Sequence, residues 1–166
     1  MQIKYETTIE APRDHVWKIL NDFGNIENFH PFVLESHSLS DAAGGLGATR
    51  RCDFGKGVAV SERIVGWSDG ESMDIDIYKR EGMPSVVKSM TARFELSDAG
   101  DATRVVGSLS IEIAPKVVAV LMGPIMNRQM TKALRGLLAG MKRHAETQDL
   151  VNVESDVDID AVVAVA

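Results

Sequence analysis

Few residues of this 166-residue chain can hold a metal, attack a carbonyl or move a proton, and they are scattered. The histidines are His15, His30, His37 and His144. No two of them stand at His-x-x-x-His or His-Glu-x-x-His spacing, so no helix presents a ligand pair to one ion. Cys52 is the only cysteine, and it has no partner at ligand spacing. No Gly-x-Ser-x-Gly elbow is present, which removes the commonest sequence signature of a nucleophilic serine. The loop Asp41–Gly47 is glycine-rich but lacks the Gly-Lys-Ser/Thr ending that a phosphate-binding loop needs. No metal and no cofactor are therefore expected. Two polar residues remain of interest. Glu62 alternates with Val60 and Ile64, so it shares their face, and a carboxylate on an apolar face needs a partner, a water or a ligand group. His30, just before Pro31, reads either as a turn residue or as a polar group or proton donor.

The element that must position them is the longest helical run, Pro115 to about Glu146. Met122, Met126, Met130, Leu134, Leu138 and Met141 recur at steps of four or three, with Val118, Leu121, Ile125, Ala133 and Leu137 beside them. That spacing predicts a broad apolar face. Asn127, Arg128, Lys132, Arg135, Lys142 and Arg143 fall on the other side. About 30 residues span roughly 45 Å, too long to be covered by anything but a large second surface. Methionine is flexible and suits changeable surfaces, and Gly123-Pro124 favours a bend.

The rest of the chain supplies that surface as strands. Ile3, Tyr5, Thr7 and Ile9 alternate with polar residues. Two short helices follow, Pro12 to about Asn21 and Ile26 to Phe29. Further strands are expected at Phe32–Leu39, Ala48–Phe54, Val58–Trp67, Ser72–Tyr78, Val86–Leu96 and Thr103–Ile113, joined by short turns such as Gly55-Lys56-Gly57. The order is one strand, two short helices, six strands and one long helix, which implies a seven-stranded antiparallel meander. On the expected inner face lie Val60, Glu62 and Ile64; Met73, Ile75 and Ile77; Met90, Ala92 and Phe94; and Val105, Gly107 and Leu109. Gly107 in a strand marks a bend or a close approach. Arg50 and Arg51 read as a solvated strand edge, Trp67 as packing, and Tyr78 as pointing outward.

Composition narrows the function classes. The chain is long enough for one domain with a real core. One cysteine allows no internal disulfide and fits a reducing compartment. The opening residues read as lacking a signal peptide, and the longest apolar run is too short and interrupted for a membrane span. A cytoplasmic protein without stable membrane insertion is expected, as a monomer or homodimer. Residues 147–166 carry five acids and no Lys or Arg, so of the net charge of −6 only −1 belongs to the remainder. Nucleic-acid binding is not expected without concentrated positive charge. The acidic, then apolar, tail reads as a mobile or loosely docked terminus, or as an edge strand on another chain.

Several stretches resemble the helix-grip fold of the START/Bet v 1-like superfamily (SRPBCC), in its polyketide cyclase/dehydrase and lipid-transport branch. They are Ile9-Glu10-Ala11-Pro12 with Val16-Trp17, Asp22-Phe23-Gly24 with Phe29-His30-Pro31, Val60–Ile64, and Asp98–Val105 before the long helix. The likeness covers about residues 2–146. It implies an α+β fold, with the curved sheet wrapped around the C-terminal helix and a deep apolar pocket between them. The pocket residues expected on that basis are Glu62, Val60, Ile64, Met73, Ile75, Phe94, Leu109, Met122, Met126, Met130 and His30. A Glu in a similar Ser-Glu-Arg setting lines the pocket of plant abscisic-acid receptors. Their pocket Lys would fall at Leu34 here, and Gly55-Lys56-Gly57 is too short for their gating loop, so hormone binding of that kind is not implied. Three functions follow as expectations. The first is binding or carriage of a hydrophobic small molecule (a lipid, isoprenoid or polyketide). The second is polyketide cyclisation or dehydration with Glu62 or His30 moving protons. The third is a co-chaperone-like interaction module. Whether the chain is an enzyme stays open.

Overall fold

The structure, a computed structural model, describes residues 1–165. The strands are β1 (Gln2–Ile9), β2 (Glu35–Ser38), β3 (Thr49–Gly55), β4 (Val58–Ser68), β5 (Ser72–Glu81), β6 (Val87–Ala99), β7 (Ala102–Ile113) and β8 (Val163–Ala164). They form one antiparallel sheet in the order β2-β3-β4-β5-β6-β7-β1-β8. The helices are α1 (Arg13–Asn21), a 3-10 helix (Phe23–Asn28), the long α2 (Lys116–Thr147) and a short 3-10 helix in the tail (Ile159–Ala161). This is the expected α+β helix-grip arrangement with one strand more than predicted.

The alternation read from sequence is the alternation observed. In β5, Met73, Ile75 and Ile77 are buried while their neighbours are not, because a period of two sends successive side chains to opposite faces. Register then lines the inner residues up across strands: Ile64 opposite Ile75, Ile75 opposite Ala92, Phe94 opposite Gly107, and Leu109 opposite Ile3. Gly107 is a point of close approach, as expected. A Cβ there would sit 3.1 Å from Leu134 and 3.2 Å from Phe94, so its absence lets α2 lie close over β7.

Two further glycines hold the segment that carries His30. A Cβ on Gly140 would fall 2.1 Å from the Phe29 carbonyl oxygen, and one on Gly136 would fall 2.7 Å from the Phe32 ring. These positions lie one helical turn apart on α2. They form the shallow face on which Phe29–Phe32 rests.

The tail, expected as a mobile or loosely docked terminus or as an edge strand on another chain, lies against α2 and β1 of its own chain. Val151 and Val162 are buried, Arg135 and Arg143 of α2 donate to the carbonyls of Ile159 and Asp156, and Thr7 donates to the Ala161 carbonyl at 2.9 Å. Val163 and Ala164 then pair with Glu6 and Tyr5. The tail covers an edge of its own sheet, which would otherwise present unpaired backbone groups.

The long helix also differs in its first half. Leu121 and Ile125, expected on the covered face, are exposed, while Met126 and then Leu134, Leu137, Leu138 and Met141 are buried. At 100° per residue, Leu121 and Ile125 share a side with Arg128 rather than with Met126.

Candidate functional site: an apolar cavity under the long helix

A cavity of about 420 Å³ lies between the sheet and the middle of α2. Strands β3 to β7 form its wall, with Cys52, Val60, Ile75, Ile77, Met90, Phe94 and Leu109 among the lining residues. Its roof is Met130, Ala133, Leu134 and Leu137 of α2, and Ile26, His30, Phe32 and Val33 close one side. Lys56, Gln129 and Lys132 also line it and are exposed, so they mark its opening. Another concavity, about 480 Å³, lies near Met1, Ser110, Ala119 and Gly123. It is more open and lacks an enclosing apolar wall.

Of the residues expected around a pocket, Glu62, Val60, Ile75, Phe94, Leu109, Met130 and His30 line this cavity. Four do not. Ile64 and Met73 are buried in the core toward the end of the sheet where the Trp17 and Trp67 rings pack 4.8 Å apart. Space there is filled by side chains. Met126 is buried one turn before the cavity begins and Met122 lies earlier still, because the cavity faces the helix from Gln129 onward.

Glu62 is inward-facing and has found its partner. Arg50 Nε donates to Glu62 Oε2 at 2.5 Å, and Arg50 Nη2 lies 2.5 Å from the same oxygen. Arg50 Nη1 donates to the Phe23 carbonyl at 2.9 Å, and its guanidinium lies 3.9 Å from the centre of the Phe23 ring. Arg50 is 4% exposed, so the reading of Arg50 as solvated edge is corrected; Arg51, next door, turns outward and pairs with Glu81. The signal was in the alternation, since Arg50 shares a face with Cys52 and Phe54. Both Arg50 donors fall on Oε2, so Glu62 Oε1 takes neither of them. Cys52 Sγ also lies 4.0 Å from Oε2. Burial, and then the Glu62 charge, push the Cys52 thiol up to about 12, which leaves it protonated and a poor nucleophile.

His30 is 6% exposed. Its Nδ1 accepts from the Phe32 N–H at 3.2 Å, which places the ring proton on Nε2. The rings of Phe32 and Phe54 meet it edge-on at 5.9 Å. Burial, and then the charge of Arg50, push His30 down to about 3, so it is neutral at physiological pH. The cavity thus has a long apolar wall, one neutral N–H donor and one carboxylate already held by a guanidinium. Among the described residues, no group of three His, Cys, Asp or Glu side chains gathers in a way that would hold a metal ion.

The family model for polyketide cyclase/dehydrase and lipid transport proteins matches residues 1–146, which is the sheet through β7 and nearly all of α2. The chain belongs to that family. It lies within the SRPBCC superfamily, as the likeness in sequence implied. Solved structures show the same fold at low identity. A crystal structure of a Thermus thermophilus protein has a TM-score of 0.71 at 18% identity, covering 87% of this chain and 97% of that one. Norcoclaurine synthase from Thalictrum flavum has a TM-score of 0.68 at 12% identity, with 86% and 84% covered. The ZhuI aromatase/cyclase from Streptomyces sp. R1128 has 0.67 at 14%, with 91% and 99% covered. No curated protein matches the chain.

Proposed function

We propose that this family member binds and carries a hydrophobic small molecule, of lipid, isoprenoid or polyketide type, in the cavity between sheet and α2. The observation that carries the reading is the wall itself: a concavity of about 420 Å³ whose lining is mostly aliphatic, sulfur-containing or aromatic. That volume falls within the range of roughly 300–1,000 Å³ that suits small-molecule ligands. Desolvating an apolar ligand against such a wall is favourable at about 25 cal/mol for each Å² buried. The His30 Nε2–H and the free oxygen of Glu62 would orient one oxygen-bearing group without catalysing anything.

A second reading, a cyclase or dehydratase, draws on His30 and Glu62 lining the same space. Chemistry favours the carrier. A general acid or base works best with a pKa near the working pH, and His30 is held at about 3. Glu62 already receives two Arg50 donors on one oxygen, and neither Tyr5 nor Tyr78 lines the cavity.

The test uses a neutral apolar fluorophore, N-phenyl-1-naphthylamine, and the variant Ala92→Phe, which places a ring in the cavity. Saturable binding by the wild type, lost in Ala92→Phe while the fold persists, is the expected outcome. Equal binding by both proteins would remove the cavity from the account.

A further inference from the structure

We propose that the first half of α2 docks on an anionic lipid surface. Val117, Val120, Leu121 and Ile125 are 72%, 76%, 73% and 63% exposed, in a molecule whose other aliphatic helix residues are mostly covered. With Pro124, they recur at i, i+3, i+4, i+7 and i+8, which places all five on one face. That face lies opposite Met126 and therefore points away from the sheet. A contiguous apolar stripe of this kind on a water-soluble surface marks an interaction site.

Charge decides what the stripe meets. From Ile113 to Ala145 the chain has no Asp or Glu. Of its cations, Arg135 is tied to the tail near Asp160, Lys142 to Glu146 and Arg143 to Asp149. Lys116, Arg128 and Lys132 make no salt bridge among the described residues. Lys116 stands at one end of the stripe, and Arg128 and Lys132 continue the same face at the other. An apolar band bracketed by cations that no carboxylate holds, with Lys132 also lying 5.3 Å from the centre of the Phe32 ring, suits a bilayer interface with anionic headgroups. A second copy of the chain suits it badly, because these cations would meet their own counterparts with no carboxylate in the first half of the helix to answer them. The chain's own tail is committed to β1 and the second half of α2. The helix would lie on the surface rather than cross it, since among the described residues no helix is long and apolar enough to span.

The next turns of α2 carry Gln129 and Lys132, which mark the cavity opening. Docking would therefore hold the opening near the bilayer. The docking inference goes beyond ligand binding and is tested without a ligand. The full chain is sedimented with vesicles of phosphatidylcholine alone or with phosphatidylglycerol added, at low and high salt. Variants are Val120→Glu/Ile125→Glu and Arg128→Gln/Lys132→Gln, all at exposed positions, with folding checked by circular dichroism and mass in solution by light scattering. The wild type should bind only the anionic vesicles and release with salt. Each charge near such a surface contributes enough that losing two should weaken binding by roughly ten-fold or more. Removing two aliphatic contacts and adding two acids should weaken it by at least about ten-fold. Absence of phosphatidylglycerol-dependent binding, or binding unchanged in Val120→Glu/Ile125→Glu, would overturn the proposal. So would a wild-type dimer that this variant dissociates, which would assign the stripe to a second copy.

Discussion

Replacing Glu62 by Leu should be among the most destabilising single changes in the cavity wall. The substitution removes a carboxylate and leaves Arg50, 4% exposed, with a buried charge and two donors unanswered. Breaking a buried pair from one side costs about 3–5 kcal/mol. Arg50→Met should cost about the same, because it strands the carboxylate, and slightly more through the Phe23 carbonyl, whose 2.9 Å hydrogen bond is lost with it. In a domain of this size 1 kcal/mol moves Tm by about 2–4 °C, so each single variant should melt roughly 10 °C lower. The double variant Arg50→Met/Glu62→Leu strands no charge, and apolar replacement of a whole buried pair is often neutral. What remains is the orphaned Phe23 carbonyl, about 1–3 kcal/mol. The double variant should therefore be more stable than either single one, with a coupling of several kcal/mol. Urea unfolding of all four proteins, with m-values compared, measures this directly. Single variants that each cost under about 1 kcal/mol, or a double variant whose loss equals the sum of the two, would refute the reasoning.

His30 makes stability depend on pH. Its folded pKa of about 3 lies below the ordinary 6.5, so between these values the unfolded chain binds the proton and the folded chain does not. The contribution is complete above about pH 6.5 and is lost as pH falls toward 3, with a slope of up to about 1.4 kcal/mol per pH unit. Thermal melts from pH 7.5 downward should show this slope, and His30→Gln should flatten it. Gly140→Ala should cost about 1–3 kcal/mol in urea unfolding, because its Cβ would fall 2.1 Å from the Phe29 carbonyl oxygen. Val162→Asp should release the tail by placing an unpaired charge at a fully covered site. Faster amide exchange confined to the β8 and β1 pairing around Glu6 would show that release.

Much of the fold was legible because period and spacing report directly on which side of an element is covered. The strand alternation placed Val60, Glu62, Ile75, Phe94 and Leu109 on the inner face, and Gly107 marked the close approach of α2. Less was legible where two patterns share one helix. In α2 the first turns carry an apolar stripe on the outer face and the later turns one on the inner face. Read together they look like one broad face, which is why the spacing alone puts Leu121 and Ile125 on the wrong side. Arg50 was missed by reading Arg50-Arg51 as a unit, although period two separates them. The tail's docking rests on tertiary partners, the carbonyl acceptors that Arg135 and Arg143 find, and no local pattern encodes those.

The central claim is that the cavity under α2 holds a hydrophobic small molecule. Native mass spectrometry of the protein purified from its own host, followed by organic extraction of any added mass, tests it most directly. The account predicts a stoichiometric apolar compound that is lost from the Ala92→Phe variant. Protein that carries no added mass, in wild type and variant alike, would contradict it.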